Sequence, residues 1–267
     1  MRTRIRSHAQ HLTGRRRQVA RRPPDEELVL HLQHMIGNRA TTRLLRQPVD
    51  APAKPKSALQ KAGLKTDTRV SDKMPAQIQA AFEESKELAP FLKGKFPGSA
   101  ITKDFEIHSN EHEFNELAKG HFRDREPLTK NQIDERYGKI GGFFDRTGRK
   151  IHVRSRSTLG HAVHEAMHKV SSSGFRGFWA DFLNEGVTQY FTDRLLVEQG
   201  LTEVKDHDYW ERLACAKKLV ALTDWQTVAA AYFQNDQKLR EAVQKKLNVD
   251  LHTLSRLGGE EICARLR

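Results

Sequence analysis

The five residues His164-Glu165-Ala166-Met167-His168 restrict what this chain can fold into more than any other stretch of its 267 residues. On an α-helix, positions i and i+4 lie one above the other on the same face. Placed there, the two imidazoles reach a single cation from one side, and the fold must hold that helix firmly. Val163, Ala166, Met167 and Val170 give the helix apolar positions through which it can be buried. Zinc takes neutral imidazole nitrogens and, in catalytic sites, keeps one position for water. Glu165, beside the first histidine, is suited to accept a proton from that water and pass it to a leaving amine. The competing reading of these five residues alone is a surface helix with two solvated histidines.

A third ligand follows. Leu183-Asn184-Glu185-Gly186 begins 15 residues beyond His168, on the next predicted helix. An antiparallel or crossing helix brings Glu185 to the metal and completes a set of two histidines and one glutamate. Upstream, Gly142-Phe143-Phe144, Asp145-Arg146-Thr147-Gly148 and the run from Arg149 to Arg154 read as a hairpin. Ile151 and Val153 alternate with His152 and Arg154, as on a strand with one buried face. We expect this to be an edge strand that flanks the cleft and pairs with an extended peptide.

These motifs resemble the gluzincin metallopeptidases, which join His-Glu-x-x-His to a downstream glutamate on a second helix. The stretch Phe178-Trp179-Ala180-Asp181-Phe182-Leu183-Asn184-Glu185-Gly186, with Tyr190 five residues after the glutamate, is similar to the glutamate segment of aminopeptidase-N-type enzymes. The resemblance covers residues 140–200. It implies a zinc-dependent hydrolase with His164, His168 and Glu185 as metal ligands and Glu165 as general base. It also implies an α+β, zincin-like fold: a small mixed sheet on the metal helix and a mostly helical C-terminal subdomain closing the cleft. Two departures shape the specificity. Only 16 residues separate His168 from Glu185, and no Gly-Ala-Met-Glu-Asn segment stands upstream to hold a free amino terminus. An endopeptidase, or a narrowly specific toxin-type protease, fits better than an aminopeptidase.

Around this centre, Asp193 lies two turns past Glu185 and is either a hydrogen-bond partner of a ligand histidine or a solvated helix residue. Tyr190 is assigned to the oxyanion, with packing against the metal helix as its alternative; Tyr209 and Tyr232 are further candidates. His161 is a cap, a solvated residue or a substrate contact. His108 and His112, with His121, form a loose second group to which no metal is assigned. Phe143, Phe144 and Trp179 read as core.

Along the chain, residues 1–24 are Arg-rich, free of acids and end in Pro23-Pro24, a composition that predicts disorder. Residues 25–46 read as a short helical hairpin, broken at Gly37-Asn38. Residues 47–58 are a Pro-rich linker, and 59–267 are the catalytic domain. Within it, helices are expected over 75–93, 110–119, 157–171 and 178–198 (the last interrupted near Gly186), a strand over 104–108, and helix throughout 201–267. Cys215 and Cys263 have no metal-type spacing and read as free thiols in a reducing compartment.

Residues 1–46 hold eleven arginines and three acids, so they carry +8 of the formal +12. Basicity is therefore a property of the leader. Phosphate neutralisation there is an alternative reading, but the first aromatic residue is Phe82, so base stacking is excluded from it. The segment Leu32-Gln33, Gly37-Asn38, Ala40, Arg43-Leu44-Leu45 resembles the N-terminal motif of proteins carried by bacterial extracellular contractile injection systems. That implies cargo loaded into a particle and released into a target cell, with residues 25–46 contacting the particle. The N-terminus has no apolar core of a secretion signal, so the chain is expected to be cytoplasmic in the producing bacterium. Expected partners are a protein or peptide substrate; no membrane partner is expected, and nucleic acid is disfavoured. Two rivals stand beside the peptidase: a zinc-site domain without activity that serves as a binding module, and a nucleic-acid-binding protein acting through the leader.

Overall fold

The computed structural model describes residues 56–94, 100–122, 128–204 and 209–266. The tail expected over residues 1–24, the hairpin over 25–46 and residues 47–55 of the linker expected over 47–58 lie outside them; the last linker residues, Ser57 and Ala58, instead cap and open a helix, so the folded domain begins slightly earlier than expected. The described part is α+β, with helices packed around one small mixed sheet.

The sheet is built from β1 (Phe105–His108), β2 (Gly142–Asp145) and β3 (Lys150–Arg154) in the order β1-β3-β2. β3 pairs parallel with β1, Phe105 opposite Ile151. It pairs antiparallel with β2, Phe144 opposite Ile151. The expected edge strand 151–154 is therefore central, because β1 adds to its second side. The edge beside the cleft is β2. The hairpin turn forms because the Asp145 carboxylate accepts from the Thr147 and Gly148 amides at 3.0 and 2.8 Å, and Arg149 takes a positive φ of 56°.

Side chains alternate across the sheet. Ile151 and Val153 are buried in the main core with α7 (Leu159–Val170). The other face carries Phe143, which joins Phe114, Ala118, Ile133 and Tyr137 in a second core. α5 (Glu111–His121) and α6 (Lys130–Tyr137) cover it. Arg154 is buried there; its guanidinium donates to Glu111, Asn115 and the Tyr137 and Ile140 carbonyls. Burial pushes its pKa down to about 10.

Earlier elements brace the metal-motif helix. α1 (Ala58–Lys61) and α2 (Met74–Glu84) pack Leu59, Met74, Ile78 and Phe82 into the main core. The helix expected over 75–93 ends at Glu84, and Pro90 sits in the first turn of a separate α3 (Ala89–Leu92), where its missing N–H costs nothing. α4 (Ala100–Lys103) leads into β1. The connection between α1 and α2, which turns at 65–68, offers its carbonyls to the start of α7. Leu159 N donates to Thr68 O at 2.8 Å and Gly160 N to Thr66 O at 3.1 Å. Two first-turn donors that no helix can satisfy internally are thereby paired.

α8 (Ser173–Glu198) follows α7 after Ser171-Ser172, with the Ser172 side chain capping Phe175 N. It starts earlier than expected and runs unbroken through Gly186. That glycine does not interrupt the helix; it permits contact. A Cβ there would lie 2.1 Å from the Arg212 carbonyl oxygen of α9 (Trp210–Leu222). Beyond α9 come α10 (Trp225–Gln234), α11 (Lys238–Leu247), α12 (Leu251–Arg256) and α13 (Gly259–Arg265). The expected continuous helicity of 201–267 is broken by caps, with Asp224 and Asp250 accepting from Thr227 N and Thr253 N. Asn235 and Asn248 end their helices in the left-handed conformation. α9 and α13 bring Cys215 and Cys263 into side-chain contact as free thiols. No described helix is long and apolar enough to cross a membrane.

Candidate metal centre

α7 and α8 assemble the centre. His164 and His168 come from one face of α7, and Asn184, Glu185, Thr188 and Gln189 from one face of α8. Glu185 Oε2 lies 3.1 Å from His164 Nε2 and 3.2 Å from His168 Nε2. One ligand atom from each of the three residues lies within 4.8 Å of the others. Both histidines are almost completely buried.

The hydrogen bonds behind the rings decide what the front can bind. His164 Nδ1 lies 3.0 Å from Gln189 Oε1, an acceptor, so Nδ1 carries the proton. The Gln189 amide then donates to Asp193 Oδ1 at 2.9 Å, which also accepts from Val204 N at 3.1 Å. His168 Nδ1 lies 3.2 Å from Thr188 Oγ1. Thr188 donates to the Asn184 carbonyl at 2.7 Å and lies 2.6 Å from the Tyr232 hydroxyl. With its one proton committed to Asn184, Thr188 accepts from Tyr232 and from His168 Nδ1–H. Asn184 Nδ2 is 3.4 Å from the same ring nitrogen while its Oδ1 is buried without a partner.

Both neutral rings thus direct an Nε2 lone pair at a carboxylate. Acceptor facing acceptor is repulsive unless a positive charge lies between them. A proton on each Nε2 would serve; one divalent cation serves all three groups. Two imidazoles and a carboxylate with backing hydrogen bonds are the donor set and support that zinc uses.

The electrostatics of the metal-free chain favour positive charge beside Glu185. Burial works to raise Glu185, but His168 and His164 hold it well below the ordinary carboxylate range. Burial works to lower His164, yet the Glu185 hydrogen bond and the charge of Glu165 raise it. Glu165 is raised chiefly by burial, partly offset by the histidines and the Phe144 amide. Its side chain passes close to β2: a Cβ on Gly142 would lie 3.0 Å from Glu165 Cγ and 2.9 Å from His152 O. Only glycine lets the strand approach Glu165 this closely.

Glu165, His168 and Glu185 line a cleft of about 980 Å³, walled by β2, α5 and α9 through Phe143, Phe144, Asp145, His121, Tyr209 and Arg212. The Tyr209 ring stacks on His164, with centroids 5.2 Å apart and planes 8° from parallel. Tyr190, assigned to the oxyanion from sequence, is not among the lining residues. Five residues past Glu185 turns the helix by about 140° from it. There Tyr190 accepts from Arg194 Nη1 at 3.3 Å, and Arg194 is paired with Glu87. Asp193 does reach the centre, through Gln189. Tyr232 is fully buried and backs His168 through Thr188. His161 bonds Thr158 Oγ1 at 2.9 Å, at the start of its own helix. Gln189 and Thr188 were missed from sequence. The i, i+4, i+8 spacing of Glu185, Gln189 and Asp193 was the available signal for the first.

The loose histidine group divides. His112 faces Asp134 at 3.1 Å, and His121 stacks on Phe143. His108 instead meets His152 and Glu106, whose ligand atoms also lie within 4.8 Å of one another. Burial lowers the His152 pKa, and the Lys150 hydrogen bond lowers that of Glu106.

No protein-family model matches the chain, no curated protein matches it, and no solved structure matches it.

Proposed function

We propose that this chain is a zinc-dependent peptidase of zincin-like, gluzincin type, acting on a protein substrate. The observation that carries the reading is the convergence of two Nε2 lone pairs and the Glu185 carboxylate beside Glu165 at the floor of a cleft. His164, His168 and Glu185 would hold the ion. When bound, zinc supplies Lewis-acid polarisation of the scissile carbonyl and makes water more acidic.

The remaining steps belong to the protein. Glu165 takes the proton from the attacking water and delivers it to the departing amine. Gln189 and Thr188 hold the imidazoles in the ligating tautomer. Tyr209, stacked on His164 and lining the cleft, is the tyrosine to which this reading gives the developing oxyanion. β2 is an edge strand on the cleft, so an extended peptide can add to it. The leader motif supports delivery by a contractile injection particle as the context of this activity.

The test is a proteolysis screen with the zinc-loaded full chain and Glu165→Gln as control. Cleavage that falls at least about 100-fold in the variant is expected. Cleavage equal in both removes Glu165 from the chemistry. No cleavage across a broad substrate panel, with zinc bound, favours a binding module.

A further inference from the structure

Glu106 and His108 are two residues apart on β1, so their side chains leave the same face of the sheet. The parallel register sets Glu106 opposite His152 of β3. That face is the one remote from α7. There His108 packs edge-on to Phe114 at 5.6 Å, and His152 stacks on Phe143 at 4.9 Å. His108 Nε2 lies 2.9 Å from His152 Nδ1, and Glu106 Oε2 lies 3.3 Å from the same His152 nitrogen. Lys150 Nζ holds the other carboxylate oxygen, Oε1, at 2.8 Å, and so leaves Oε2 directed at the histidines.

We propose that Glu106, His108 and His152 form a second transition-metal site, of the zinc-binding class, that fastens β1 to β3. Its donor set repeats that of the first centre, two imidazoles and one carboxylate. Ligand atoms around a tetrahedral zinc stand about 3.3 Å apart, given bonds of about 2.0–2.1 Å. The two contacts to His152 Nδ1, at 2.9 and 3.3 Å, are within a few tenths of an ångström of that value, and all three ligand atoms lie within 4.8 Å of one another. The Glu106 side chain is 40% exposed, so water can reach a fourth position. His152 also lines the cleft of the first centre. The two centres lie on opposite faces of the sheet, and the second acts as a clasp on the cleft wall. A clasp of this kind keeps β1 in register, and Asp104, just before β1, is bound by Lys169 of α7 at 2.5 Å. The alternative is a metal-free cluster in which one proton joins the two imidazoles.

The inference does not rest on the peptidase reading, and one set of measurements separates them. The untagged full chain and its His164→Ala, His108→Gln and Glu106→Gln variants are loaded with Zn²⁺, dialysed and assayed by elemental analysis. The same set loaded with Co²⁺ is read by its visible absorption, and folding is checked by circular dichroism. The wild type is expected to hold about two ions per chain, with about one left in each variant. Retention of about one ion by folded His164→Ala, with a Co²⁺ spectrum changed by Glu106→Gln, supports the second site even if His108→Gln does not fold. A wild-type count of one that vanishes in His164→Ala overturns it and keeps the first centre. A count of one that survives His164→Ala but not the Glu106 and His108 variants overturns the first centre instead. No bound ion overturns both.

Discussion

Gln189 Oε1 lies 3.0 Å from His164 Nδ1, and this contact fixes which ring nitrogen faces Glu185. The carbonyl oxygen accepts only from Nδ1–H, so the Nε2 lone pair points toward Glu185. Gln189→Met keeps the volume and removes the acceptor. Zinc affinity is expected to fall about 10–100-fold, read by competition with a chromophoric chelator. Unchanged affinity would mean that packing alone orients the ring.

Two tyrosines are expected to behave differently. Tyr209→Phe, on the cleft, should lower kcat about 100-fold with little change in KM, as loss of an oxyanion donor does. Tyr190→Phe should leave kcat alone, because its hydroxyl meets Arg194 rather than the cleft. Steady-state kinetics on one cleaved peptide distinguish them, and the reverse pattern would restore the assignment made from sequence.

Burial raises the Glu165 pKa above its ordinary value of 4.5. Between that value and the higher folded one, the folded state binds more protons than the unfolded state. Stability from this group is therefore full below the unfolded pKa and is lost as pH rises through the folded one. In the metal-free chain, Glu165→Gln is expected to melt above the wild type at about pH 7.5, with the gap closing near about pH 4. Thermal melts across that range check it. A variant that melts lower at neutral pH would show that the ionised carboxylate is stabilising.

Gly186 and Gly177 sit in the same helix and should respond with opposite sign. A Cβ at Gly186 meets backbone of Arg212, which cannot move alone, whereas a Cβ at Gly177 meets nothing within 4 Å. Gly186→Ala should cost about 1–3 kcal/mol and lower kcat/KM, since Tyr209 and Arg212 line the cleft on the displaced element. Gly177→Ala should stabilise by about 0.5–1 kcal/mol. Denaturant melts give both values. Equal tolerance at the two positions would mean that α9 shifts freely.

How much was legible in the sequence follows from the range of each interaction. The i, i+4 histidines and the Asn-Glu-Gly segment depend on local helix geometry, so His164, His168 and Glu185 could be read together before any fold was known. The hairpin was legible because Asp145 makes its own turn. Residues 151–154 read as an edge strand because the partner β1 is distant in sequence, and nothing within 151–154 encodes a parallel neighbour. That pairing is also what brings Glu106 and His108 to His152. Gly186 looked like a helix break because glycine has low helix propensity, whereas its role is set by a backbone 26 residues downstream. Tyr190 stands at the spacing that the resemblance implies, but the turn of α8 carries it off the cleft.

The central claim is that one ion is held jointly by His164, His168 and Glu185. The most direct test is the zinc content of the full chain beside His164→Ala and Glu185→Ala, each confirmed folded by circular dichroism. The expected result is that each variant holds about one zinc fewer than the wild type. Variants that retain the wild-type content would contradict the three-ligand centre.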